Sequence, residues 1–191
     1  MSCEEMDIAH TYAADATSET SMQACVANIQ QDVGIPDLAV YCIQAFIPGG
    51  VLETSVAAFE DAWRANCLGA FIAARELGSR MVARGSGTIV FAGATSATIG
   101  RAGYLNLSVG KFGLRALAQV AARELGHRGI HVAHMLIDAH IEEGDDGGEG
   151  GPTADAVDVA NVICSIHEQP RSTWTHELDL RPWNERFWEH C

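Results

Sequence analysis

Basic side chains are scarce in this 191-residue chain: 12 Lys and Arg stand against 25 Asp and Glu, a formal net charge of -13. Such a surface repels nucleic-acid phosphates and anionic membrane faces, so neither is expected as a partner. The six cysteines (Cys3, Cys25, Cys42, Cys67, Cys164, Cys191) include no C-x-x-C pair. That scatter excludes a zinc knuckle or a dense disulfide framework, and free thiols in a cytoplasmic protein are expected. Long apolar runs are also missing. Arg64 and Arg75 interrupt the apolar stretch around Phe71, well short of the roughly 18 uninterrupted residues of a membrane span. The acidic opening from Met1 to Asp7 lacks the basic and then apolar pattern of a secretory signal.

With 48% hydrophobic residues, the chain is expected to fold as one domain, residues 1–191, around a single core. Short β-rich runs alternate with longer helical patterns, which predicts helices covering a mostly parallel sheet of about five strands, a three-layer α/β fold. The strands are expected near His10–Asp15, Asp37–Cys42, Thr88–Ala92, His131–Asp138 and Glu177–Leu180. The first helix is capped by Ser18 or Thr20 and runs to about Asp32, where Gly34, Ile35 and Pro36 stop it. A second begins after Thr54 or Ser55 and ends at Gly85 or Gly87, with Phe59, Trp63, Asn66, Ala70, Phe71 and Ala74 at helical spacing. A third spans about Tyr104 to Leu125, and Thr153 caps a fourth that ends near His167. Between the last two, residues 142–151 read as a flexible acidic glycine-rich loop. Its spacing does not match a calcium loop, and no metal is expected. His131 and His134 are at odd spacing on one strand, so they point to opposite faces and read as packing or capping residues.

Phe59–Phe71, Gly87–Thr95, Lys111–Gln119 and Ala122–Val132 resemble, in order and spacing, consecutive pieces of the short-chain dehydrogenase/reductase family. Glu177–Trp183 is similar to the family's last strand and tail. The resemblance implies a Rossmann-like fold, truncated at the front: Tyr12, Ala13, Ala14 and Asp15 resemble the end of the third family strand, and no glycine-rich turn precedes them to cradle a pyrophosphate.

The family's catalytic motif is Tyr-x-x-x-Lys, with a serine thirteen residues before the tyrosine. Lys111 matches the lysine, Leu107 stands at the tyrosine and Ala94 at the serine. Asn66 resembles the family's helix asparagine. In the segment Tyr41-Cys42-Ile43-Gln44, bulky Ile43 and Gln44 replace the small residues of the cofactor floor, and Ile137-Asp138 replaces the Pro-Gly pair that faces the nicotinamide. No cofactor is therefore expected.

The candidate catalytic set is Lys111, Asn66, Asp138, His140 and Tyr104. Burial can bring a lysine amine towards neutrality, Asp138 and His140 follow a strand at the end where open sheets bind ligands, and Tyr104 is a substitute acid. Thr95, Ser96, Ser108, Gln44 and Cys42 are candidate substrate contacts. The expectation is an NAD(P)-independent, non-redox enzyme (cyclisation, isomerisation, dehydration or hydrolysis) acting on a small apolar metabolite. Alternatives are an inactive scaffold subunit and an atypical NAD(P)H-dependent reductase. A homodimer is expected through the helices around 56–84 and 104–126.

Overall fold

The computed structural model describes residues 9–143 and 153–186. The first helix, α1 (Glu19–Asp32), starts where the Ser18 hydroxyl accepts the Ser21 N–H, and leads to strand β1 (Leu38–Tyr41). Ser55 caps the next helix by accepting from Ala58 N. That helix is α2 (Val56–Trp63), followed by one π-helical turn, Arg64–Leu68, and by α3 (Gly69–Arg84). Gly85 ends it in the left-handed region at φ 82°, a conformation that strains any residue with a β-carbon.

Strand β2 (Gly87–Ala94) runs into a 3-10 turn, Thr95–Ala97, and then into α4 (Leu105–Leu125) and β3 (Ile130–Ile137). Short strands β4 (His140–Glu142) and β5 (Thr153–Asp155) pair with each other, and α5 (Ala156–His167) leads to β6 (Glu177–Leu180).

The main sheet has the order β1-β2-β3-β6, parallel throughout. Each parallel step requires a crossover, and the helices supply it. Strand side chains alternate between the two faces. Ile89, Phe91, Ile130 and Val132 pack on Ala70, Ala74 and Met81 of α3 and Leu114 and Ala118 of α4. On the other face, Val90, Ala133 and Met135 meet Val159 and Ile166 of α5. Small residues on α3 and α4 let both helices approach the sheet closely.

Three expectations change. His10–Asp15 forms no strand, so the main sheet has four strands instead of about five; the segment has no neighbouring strand with which to exchange hydrogen bonds. Asp155, not Thr153, caps α5: its carboxylate accepts from Val157 and Asp158, while Thr153 is held in the β4 ladder. Cys164 is disulfide-bonded, whereas Cys25, Cys42 and Cys67 are free. Of the expected loop at 142–151, Glu142 ends β4 and Glu143 lies in a turn; positions 144–151 fall outside the described residues.

Candidate active site

A cavity of about 550 Å³ opens where β1, β2 and β3 end, at the carboxyl edge that open α/β sheets use for ligands. Lys111 lies at its inner side. The residue is 1% exposed, and its ammonium donates to Ala92 O at 2.9 Å and to Ile43 O at 3.5 Å. An ammonium has three N–H donors, which leaves one for a ligand. Burial pushes its pKa down to about 8, with neighbouring Cys42 pulling the other way.

Cys42, Gln44, Thr95, Ser96, Tyr104, Asp138 and His140 line the same cavity, so eight of the ten candidates converge. Thr95 Oγ1 is buried with no hydrogen-bond partner among the described residues. Tyr104 precedes α4 and is partly exposed, its ring stacked on Phe46 with centroids 4.8 Å apart. Leu107, at the tyrosine position of the motif, is buried in the cavity wall. Asp138 is ion-paired with Arg181, a guanidinium it shares with Asp179 and Glu185.

Asn66 and Ser108 lie outside this group. Asn66 is buried in the π-helical turn, where its amide is spent on one residue: Nδ2 donates to Ala45 O at 2.8 Å and Oδ1 accepts Ala45 N at 3.1 Å. It pins the segment that follows Cys42 and Gln44. Gly110 makes this possible, because a β-carbon there would lie 2.5 Å from Asn66 Cβ. Ser108 is buried beside a separate, more apolar hollow lined by Val109 and Phe112.

His134 was expected only as a packing or capping residue, and Arg101 was not anticipated at all. His134 is fully buried beneath Gly93, donating from Nδ1 or sharing a proton with Glu177 Oε2 at 3.2 Å, and Arg115 grips the same carboxylate through two bonds. Arg101 lines both the cavity and the neighbouring hollow. Neither belongs to a spacing motif that would have marked it.

These features define a Rossmann-type α/β protein with a lysine-based cavity at the sheet's carboxyl edge, and comparison with known proteins assigns its family. Residues 2–137 match a family model described as enoyl-(acyl carrier protein) reductase. A short-chain dehydrogenase from Rhodopseudomonas palustris superposes with a TM-score of 0.79 at 31% identity, over 90% of this chain and 74% of that one. The chain belongs to the short-chain dehydrogenase/reductase family.

Curated relatives include a short-chain dehydrogenase/reductase of Armillaria gallica, 30% identical over 62% of this chain and 46% of that protein. Sorbitol-6-phosphate 2-dehydrogenase of Escherichia coli is 29% identical over 68% of this chain and 51% of its own length. The chain thus spans about half the length of these relatives.

The relatives are enzymes named for dehydrogenation and reduction, and this overturns the expected NAD(P)-independent, non-redox reaction. That expectation rested on the missing glycine-rich turn, the altered cofactor floor and nicotinamide-facing pair, and the substitutions at two catalytic positions. The fold, the cavity and its lysine are all retained despite Ala94 and Leu107.

The family implies a nicotinamide dinucleotide. At the nicotinamide end Ala92, Gly93 and Ala94 are small and Thr95 Oγ1 lacks a partner, which fits the ring, while the larger Gln44, Ile137 and Asp138 line the same cavity. For the pyrophosphate, no strand among the described residues runs directly into a glycine-rich turn that opens a helix. Among those residues, no helix is long and apolar enough to cross a membrane.

Proposed function

We propose that this chain is a nicotinamide-nucleotide-dependent reductase acting on a small carbonyl compound in the cavity at the ends of β1–β3, with Lys111 as the proton donor. One observation carries the reading: a buried ammonium at the cavity, its pKa brought down to about 8, with one N–H uncommitted. A catalytic acid works best when its pKa lies near the working pH, and Leu107 leaves the tyrosine's part to another group.

When bound, the nicotinamide supplies the hydride. Ala94 and Thr95 would border the ring, and the one uncommitted N–H of Lys111 is left for the substrate oxygen. As the substrate oxygen gains charge, Lys111 gives it a proton, and the amine recovers a proton from solvent through the open cavity mouth. Asp138 is held on the cavity wall by Arg181, whereas Asn66 acts by positioning the wall through Ala45. The relatives' names support the redox class and leave the substrate open.

The test is oxidation of NADPH and NADH in the presence of a panel of aldehydes and ketones. Carbonyl-dependent turnover that falls at least about a hundredfold in Lys111→Met, with native circular dichroism retained, is the expected result. Turnover unchanged by that substitution removes Lys111 from the mechanism, and no oxidation with any carbonyl removes the reductase reading.

We also infer a homodimer through α2–α3 and α4, whose outer faces expose Phe71, Val109, Phe112 and Val120. A cytoplasmic location is part of the same proposal; the free thiols of Cys25, Cys42 and Cys67 support it and the disulfide at Cys164 counts against it.

A further inference from the structure

Arg101 sits in the loop between the 3-10 turn and α4, where it borders the main cavity. Its Nη2 is buried and has no hydrogen-bond partner among the described residues. None of the ion pairs among those residues includes it. A guanidinium cannot shed its charge to escape burial, as a lysine or histidine does. Arg101 as a whole is only part-buried, so its other nitrogens keep access to water, but the enclosed Nη2 lacks an acceptor, a cost that an anion in the cavity relieves.

Carboxylates are plentiful in a chain with 25 of them, which makes the empty partner position informative. Asp138 lines the same cavity and is bound to Arg181 instead. Thr95 Oγ1, also buried and unpartnered, offers a second donor in that cavity. The walls carry Lys111 for the reacting end and Arg101 for a charged end within one space of about 550 Å³. That volume suits a small metabolite.

We propose that Arg101 reads the substrate: the carbonyl compound carries an oxyanion, a carboxylate or a phosphate, which pairs with Arg101 while its carbonyl faces Lys111. The planar fork of arginine matches both groups with two parallel bonds. The reactive half of this assignment rests on the reductase reading, whereas the anion half stands on binding alone.

Calorimetric titration of the whole chain with acetoacetate, its uncharged methyl ester and inorganic phosphate tests it, alongside NADPH. Wild type is expected to bind at least one anion about tenfold or more tightly than the ester, the difference a charge-assisted hydrogen bond makes. Arg101→Met should abolish that preference and leave ester and NADPH affinities within about twofold, and Arg101→Lys should keep part of it. A stronger response to phosphate assigns a phosphorylated substrate, and a stronger response to acetoacetate a carboxylated one.

Equal affinity for acid and ester together with no saturable phosphate binding, or a preference that survives in Arg101→Met, would overturn the proposal. So would a parallel loss of NADPH affinity in that variant, because the anion would then belong to the cofactor. Charge preference intact without any NADPH binding would sink the reductase reading and leave the anion site standing.

Discussion

At Lys111 the same burial that tunes the amine also weakens the fold. The amine is harder to protonate in the folded protein, at about 8, than its ordinary value of 10.5. Between those two values the unfolded chain holds the extra proton, so stability rises with pH across that window, and below about pH 8 the penalty is present in full. The shift corresponds to about 3 kcal/mol. Urea unfolding of wild type and Lys111→Met between pH 7 and 11 should show the difference in stability moving in favour of wild type by roughly that amount. Parallel curves would mean that Lys111 titrates normally.

The residues bound to a spacing motif were legible: Lys111 four residues after Leu107, and Asn66 on the preceding helix. Arg101 was not, because an arginine beside glycines reads as a solvated loop residue until the tertiary fold closes that loop over a cavity. The pairing of Asp138 with Arg181 is likewise a contact between two strand ends that no local pattern reports.

Elements show where local sequence decides and where neighbours do. The helices were readable through Ser18, Ser55 and Gly85, whose capping chemistry acts within one turn. The π-helical turn at Arg64–Leu68 depends on neighbours: Asn66 is drawn to the Ala45 backbone and α4 closes in at Gly110. Asn66→Ala leaves the Ala45 N–H and C=O without their partner and should destabilise the fold by about 2–3 kcal/mol. Faster amide exchange at Ala45 would accompany it, and unchanged exchange would show that the amide pins nothing. Gly110→Ala should cost about 1–3 kcal/mol by overpacking against Asn66, measured by denaturant midpoint. The strand expected at His10–Asp15 shows the opposite limit: a short β-prone run becomes a strand only with a neighbour to pair with.

For the molecule as a whole, alternation of strands and helices made the α/β class and the parallel sheet readable. The reaction class was not, because it depends on the cavity and its charges more than on two motif positions. Association is a testable property at this scale. Phe112→Glu together with Val120→Asp places charge on the exposed α4 face, and light scattering should show the proposed dimer replaced by monomer. A wild-type monomer would end that proposal.

The most direct measurement is the pH dependence of carbonyl-dependent NADPH oxidation. With Lys111 as the acid and its pKa near 8, the rate should be level below about pH 8 and fall about tenfold for each further unit, as the ammonium is lost. Lys111→Arg, which keeps its charge, should remove that break and most of the rate. A wild-type profile with no break near pH 8, or a Lys111→Arg profile that keeps it, would contradict the account.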